Sequence, residues 1–370
     1  LAIFMSGVGT LLFYFITGGK VPSYLGSSFA FIGVVIAATG YGGQGPNANL
    51  PVALGAIIVC GLLYALIGAL VNAVGTRWIE RLMPPVVTGA VVAVIGLNLA
   101  AIPVKNMAAS NFDSWMQLVT FVSVALVAVF ARGMVQRLLI LVGLAIATLI
   151  YVLLANGLGL GKPMDFSGIA NAAWVGLPRF TAPEFSGNAM LLIAPVALIL
   201  VAENLGHLKA VAAMTGRNLD PYIGRAFTAD GVATMISGAA GGTGVTTYAE
   251  NIGVMAATRI YSTAVFVVAA LMALVLGFSP KFGALIQAIP LPVMGGVSIV
   301  VFGLITIAGA RIWVDNKVDF SNPANLLTAA ITLILGTGDF TLKFGSFALG
   351  GIGTATFGAV LLHALLRRRA

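Results

Sequence analysis

Four ionisable side chains stand where they could do chemistry: Glu203 and His207 in Val201-Ala-Glu-Asn-Leu-Gly-His207, Asp230 in Arg225-Ala-Phe-Thr-Ala-Asp-Gly-Val-Ala233, and Glu250 in Thr246-Thr-Tyr-Ala-Glu-Asn-Ile-Gly253. Each sits in a stretch that is otherwise apolar. A carboxylate in hydrocarbon is costly and is kept mainly where it handles a substrate, an ion or a proton. Glu203 and His207 are four residues apart and share a face if their stretch is helical. A hydrogen bond between them would give a proton a place to wait. No HExxH, GxSxG or GxxxxGK[ST] string is present, so neither metal nor nucleotide chemistry is expected. No cofactor is expected either.

The elements that must position these groups follow from composition. The chain has 370 residues, of which 59% are hydrophobic and 8% charged, with a mean hydropathy of +1.06. Apolar runs of about 17 to 25 residues recur along its length, which defines an all-α polytopic membrane protein. The formal charge of +8 is scattered between these runs and builds no nucleic-acid surface. The single Cys60 lies inside an apolar run and cannot form an intrachain disulfide. The chain opens at Leu1 directly into a spanning segment, with no cleavable signal peptide, so a further N-terminal helix is expected before it.

Apolar windows and their breakers place thirteen segments, near 1–18, 24–39, 48–75, 85–103, 114–132, 134–157, 189–208, 225–240, 245–258, 260–278, 289–310, 323–337 and 345–366. Alternate loops must then share a side. Fourteen of the nineteen Lys and Arg residues fall on one side, while Lys105, Lys162, Arg179, Lys281 and Lys343 fall on the other. By the positive-inside rule the richer side faces the cytoplasm, and a threading with one span too many would have scrambled the bias. The expected location is a multi-pass cell membrane, the bacterial inner membrane.

Two internal matches point to an inverted repeat. Ser27-Ser-Phe-Ala-Phe-Ile-Gly-Val34 reads against Thr246-Thr-Tyr-Ala-Glu-Asn-Ile-Gly-Val254, and Pro85-Val-Val-Thr-Gly-Ala against Pro292-Val-Met-Gly-Gly-Val. Each pair is seven segments apart, an odd number, so the second copy crosses the bilayer in the opposite sense. A seven-plus-seven fold follows, with thirteen of fourteen segments present. Segments 24–39 and 245–258 are short and Gly-interrupted, each a strand leading into a half-helix. Their irregular backbone must be buried in protein or line a cavity. Substrate is expected near the midplane where they meet, between Phe29 and Tyr248, the aligned aromatics. Glu250, at the start of the second half-helix, would be favoured by the positive end of its dipole.

The stretches Ala202-Glu-Asn-Leu-Gly-His207, Thr246-Thr-Tyr-Ala-Glu-Asn-Ile-Gly-Val-Met255 and Ile289-Pro-Leu-Pro-Val-Met-Gly-Gly-Val297 resemble the signatures of the nucleobase/ascorbate transporter family (nucleobase:cation symporter-2), in its bacterial uracil-permease branch. The Glu-Asn-Ile-Gly wording at 250–253 is that of the pyrimidine branch. The resemblance covers the whole chain and implies a core domain (residues 1–75 and 184–279) and a gate domain (84–158 and 280–370). It implies proton symport of a nucleobase, and a homodimer through the gate. It implies Glu203 and Glu250 as substrate-binding carboxylates, His207 as the histidine that bonds the first, and Phe29 and Tyr248 as residues lining the base. Asp230 matches an acidic position important in purine-transporting relatives. Phe302 stands where a uracil permease has tyrosine and Ala249 where it has glycine, which alters the pose of the base.

A planar base suits the acids independently of that resemblance. Uracil offers N–H donors and carbonyl acceptors on one rim, so two carboxyl groups can accept from it while free backbone N–H groups answer its carbonyls. Aromatic rings can cover its faces. Glu203 is expected to carry the proton, since an acid kept from water favours its neutral form, and Glu250 to stay ionised as a ligand. Other readings are a purine permease, a sulfate-type anion carrier or a channel on the same fold, but two acids in a pocket repel an anion. Each group also has a plainer role: Glu203 and Glu250 as polar helix contacts, His207 as an interfacial residue beside Lys209, Asp230 as a brace capping a half-helix, and Phe29 and Tyr248 as packing aromatics. Gly336-Thr-Gly-Asp339 spells the GxGD string of intramembrane aspartyl proteases, yet no Tyr-Asp partner occurs. It reads as a turn with Asp339 solvated.

Overall fold

The computed structural model describes all residues except 42–46, 249–250, 253, 256–258, 345–346 and 368–370. In chain order the described elements are α1 (Ala2–Ile16), β1 (Leu25–Ser27), α2 (Ala30–Thr39), α3 (Leu50–Val74), α4 (Arg77–Leu82), α5 (Pro85–Leu99), α6 (Ala101–Asn106), α7 (Asn111–Phe130), α8 (Met134–Arg137), α9 (Leu139–Val152), α10 (Ser167–Asn171), α11 (Gly187–Ile193), α12 (Val196–Thr215), α13 (Ile223–Ala240), β2 (Val245–Thr247), α14 (Thr263–Gly277), α15 (Pro280–Ala288), α16 (Leu291–Asp315), α17 (Pro323–Thr337), β3 (Leu342–Phe344), β4 (Phe347–Leu349) and α18 (Gly351–Leu366). Six helical stretches among the described residues are long and apolar enough to cross a membrane, Gly187–Thr215 being the longest. Shorter apolar helices accompany them, as a repeat with broken arms requires.

Breakers decide the boundaries. Proline at the first positions of α3, α15 and α17 supplies a preset φ where no N–H partner is needed. Ser110 closes a capping box with Asp113 at the start of α7. The last predicted segment is corrected at its start. Leu342–Phe344 and Phe347–Leu349 form the antiparallel pair β3–β4, and the helix begins only at Gly351, whose N–H donates to Asp339 Oδ1 at 2.9 Å. Asp339 is exposed, as expected, but also ties this turn down.

Packing divides the chain into two compact units, residues 1–95, 178–278 and 308–370 in the first and 96–177 and 279–307 in the second. The first unit is built on α3 against α13. Small residues let these helices touch: a Cβ on Gly61 would meet Gly231 O at 2.7 Å, and one on Gly231 would meet the Ala65 backbone. Close backbone approach of this kind replaces the hydrophobic drive that lipid removes. The lipid-facing sides carry exposed leucines, such as Leu62, Leu66 and Leu70 on α3. In the second unit, Met116, Ala147, Tyr151 and Val293 form the core. Residues 308–370, expected to belong with the gate, pack with the first unit; packing density and rigid-body motion are different properties.

Candidate functional site

The site grows from two three-residue strands. β1 and β2 pair antiparallel, with Leu25 opposite Thr247, Gly26 opposite Thr246 and Ser27 opposite Val245. The ladder continues as Ser28 N–H to Gly244 O (2.9 Å) and Tyr248 N–H to Tyr24 O (3.2 Å). The strands are short because each must break to let a half-helix begin, α2 after β1 and the helical turns at 251–252 after β2. Gly26 is required where it is: a Cβ there would collide with the Tyr248 ring, whose hydroxyl donates to Ser27 O at 3.0 Å.

Each strand hangs from a helix by one threonine. Leu25 N–H donates to Thr10 Oγ1 (2.9 Å), and that hydroxyl reaches Leu25 O (3.4 Å); Val245 N–H donates to Thr234 Oγ1 (3.1 Å), which reaches Val245 O (2.9 Å). The equivalence is legible in Ser6-Gly-Val-Gly-Thr10 against Asp230-Gly-Val-Ala-Thr234, a third repeat match that sequence reading missed. It was hidden because the alignment anchored on the strands, where one residue has slipped. The brackets make Leu25 equivalent to Val245, so Tyr248 corresponds to Ser28, whereas the sequence alignment paired it with Phe29. Phe29 caps the N-terminus of α2 and is half-buried, as is Tyr248.

Asp230 is fully buried on α13. Its Oδ2 accepts from Asn204 Nδ2 (2.6 Å), Thr246 Oγ1 (3.2 Å) and the Thr247 N–H (3.3 Å). Asp230 thereby braces the strand from behind. Asn204 also donates to the Tyr64 hydroxyl (2.8 Å), which donates in turn to Leu200 O (3.3 Å). Thr247 Oγ1 donates to Asn204 Oδ1 (3.1 Å) and lies 3.0 Å from His207 Nδ1. Glu203 and His207 are half-buried on one face of α12, one turn apart. The partner given to His207 at Nδ1 is Thr247, where Glu203 had been expected. Asn204, Thr247, Thr246 and Tyr64 were not foreseen, because uncharged polar residues inside apolar runs carry no periodic signal.

The structure thus gathers Glu203, His207, Asp230 and Tyr248 around α12, α13 and β2 within the first unit. Glu250, predicted to complete the acid pair, and Ala249, predicted to line the base, lie outside the described residues. Phe302 is buried at 5% exposure on α16 in the second unit. None of these residues lines the open cleft of that unit, about 570 Å³, bordered by Asp113, Tyr151, Lys162, Asp165, Gln287 and Pro292. Asp113 there is spent on the α7 cap. Asp165 is held below the usual carboxylate range by the backbone N–H and hydroxyl of Ser167. Among the described residues no group of His, Cys, Asp or Glu could hold a metal ion.

Broken arms crossing antiparallel, hung from paired helices, with an acid and a histidine on the adjoining span, define a multi-pass membrane transporter of the seven-plus-seven inverted-repeat class. The chain matches the Permease family model (xanthine/uracil type) over residues 1–344, and it belongs to that family, nucleobase:cation symporter-2. Members are permeases, not enzymes. The chain is 69% identical to the "Putative pyrimidine permease RutG" of Escherichia coli K12 over all of this chain and 84% of the relative. It is 41% identical to the uracil permease of Paenibacillus larvae over 98% of this chain and 86% of that one. Among solved structures, the transmembrane domain of the cyanobacterial bicarbonate transporter BicA superposes with a TM-score of 0.63 at 17% identity, covering 91% of this chain and 96% of that one. The inward-facing murine anion transporter Slc26a9 superposes with 0.68 at 12% identity, over 99% of this chain and 63% of that one. These two likenesses establish the fold.

Proposed function

We propose that this protein takes up uracil or a related pyrimidine nucleobase across the cytoplasmic membrane by proton symport. The observation that carries the reading is an acid and a histidine on one face of α12, with the histidine bonded to the second of two crossed strands. That arrangement offers a planar base acceptors from Glu203 and backbone groups from the strands, and Glu250 belongs to the same seat by its position after β2. Tyr248 and Phe29 supply the aromatic cover, with Ala249 next to Glu250 in the same segment. The relatives of highest identity named above are a pyrimidine and a uracil permease, which supports the pyrimidine over a purine.

Glu203 and His207 serve as the proton-coupled pair, with Asp230 behind them. One proton crossing about 100 mV releases about 2.3 kcal/mol, enough for roughly 50-fold accumulation of a neutral solute. Residues 1–75 and 184–279 act as the moving core against a gate of 84–158 and 280–370, and the gate also carries a homodimer contact. The anion cargo of the two fold neighbours is disfavoured here because Glu203, Asp230 and Glu250 would repel it.

The test is binding of radiolabelled uracil and xanthine to the purified protein, followed by uptake into energised vesicles. Uracil is expected to win. Glu203→Gln and Glu250→Gln should each damage binding or transport. Uptake that ignores a protonophore would end the symport reading, and undiminished transport by Glu250→Gln would remove that residue from the seat.

A further inference from the structure

With Asp230 ionised, the hydrogen-bond chain between it and His207 has only one consistent direction. Asn204 spends both of its Nδ2 hydrogens, on Tyr64 Oη and Asp230 Oδ2. Its Oδ1 must therefore accept, and the donor is the single hydroxyl hydrogen of Thr247. With that hydrogen spent, Thr247 Oγ1 can only accept from His207 Nδ1 across 3.0 Å. An ionised Asp230 thus places the neutral ring's proton on Nδ1 and leaves Nε2 as a bare acceptor.

The same chain has a second consistent direction, reached when Asp230 takes a proton. Asp230 Oδ1 has no hydrogen-bond partner among the described residues. A proton there would be a buried donor with nothing to bond, which is costly. On the oxygen facing Asn204 it has an acceptor once the amide turns over. Asn204 Oδ1 then accepts from Asp230 and from Tyr64 Oη, and Nδ2 donates one hydrogen to Thr247 Oγ1, its second hydrogen being the cost of this state. The Thr247 hydroxyl turns to donate to His207 Nδ1, which must be bare. The ring gives its Nδ1 proton to solvent and takes one from solvent at Nε2. Net uptake is one proton, on Asp230.

We propose that Asn204 and Thr247 are positioning residues forming a reversible hydrogen-bond relay that reports the protonation of Asp230 as the tautomer of His207. The relay deepens the symport reading and rests on it for the use His207 makes of its free nitrogen. It converts a proton stored behind the strand into a choice at His207 Nε2, acceptor or donor, one turn from Glu203. The titratable groups set around Asp230 are Glu203 on α12 and Tyr64 on α3, with Cys60 beside Tyr64. The packed elements α1, β1 and β2 bring no charged residue.

The chain has two histidines, His207 and His363, so ¹⁵N-histidine NMR of the full chain in lipid nanodiscs can read the tautomer directly, with His363→Gln assigning the signals. The wild type should show His207 protonated at Nδ1 at high pH, where Asp230 is ionised, and at Nε2 once Asp230 has taken its proton. Asp230→Asn, which removes the charge that orients Asn204, should lose or reverse that preference. Thr247→Val, which keeps the shape and removes the hydroxyl, should lose it too, and Thr247→Ser should restore it. A wild type that shows no Nδ1–H form at any pH at which it stays folded, or an Nδ1–H form that survives in either Asp230→Asn or Thr247→Val, overturns the relay. Uracil binding on the same nanodiscs judges the transport reading separately, since its loss or absence does not alter the tautomer readout.

Discussion

The first arm hangs from α1 through Thr10 and the second from α13 through Thr234, each threonine holding the N–H and C=O of the first strand residue. Four residues before the threonine, the two helices differ. α1 carries Ser6, which donates to Ile3 O and meets the Tyr24 hydroxyl at 2.8 Å. α13 carries Asp230, which gathers three donors from two elements. The scaffold is thus symmetric while the chemistry is not. A repeated fold supplies two equivalent strand supports, and one copy has exchanged a local hydroxyl brace for a buried acid that reaches α12.

The largest effect should come from breaking the support common to the second arm. Gly231→Val drives a side chain into the Ala65 backbone, and loss of monodisperse protein on size exclusion is expected, because packed helices cannot separate without losing their contacts. Next, Asp230→Ala strands three buried donors at a cost of roughly 3 kcal/mol or more, with loss of uracil uptake. Ser6→Ala removes a local bond worth about 1 kcal/mol and should leave uptake in place. Equal damage from the two would erase the asymmetry drawn here. Thr10→Val and Thr234→Val should each lower the melting midpoint by similar amounts, for about 0.5–1.5 kcal/mol per bracket. A large inequality would mean that the strands are not supported alike. The smallest change belongs to Lys209→Ala, which breaks ion pairs with Glu80 (3.1 Å) and Asp220 (2.8 Å), with Lys209 43% exposed. About 0–1 kcal/mol, vanishing at high salt, is expected in a thermal melt.

Much of the architecture was legible before any coordinates. Among the described residues the apolar windows fall on helices or strand-led arms, because a hydrocarbon layer about 30 Å thick forces long apolar runs that no local packing can disguise. The failures are specific. The last segment, placed from 345, includes β4 (Phe347–Leu349) ahead of the helix that begins at Gly351, since a few apolar residues before a span resemble its beginning. Phe29 was paired with Tyr248 although the threonine brackets pair Ser28 with it; a one-residue slip between repeats is invisible when both strands are only three residues long. The i,i+4 spacing of Glu203 and His207 could not show that Thr247, forty residues on, takes the histidine's Nδ1.

From the sequence alone, the membrane class, the helical polytopic fold and the inverted repeat could be determined, because hydrophobicity acts on segments one at a time. Only the tertiary structure decided that Asn204, Thr247, Tyr64 and Asp230 form one hydrogen-bonded chain ending at His207. Hydrogen bonds between α3, α12, α13 and β2 depend on ångström-scale approach between elements far apart in sequence. That approach is set by the small residues on α3 and α13, whose significance appears only when the two helices are brought together.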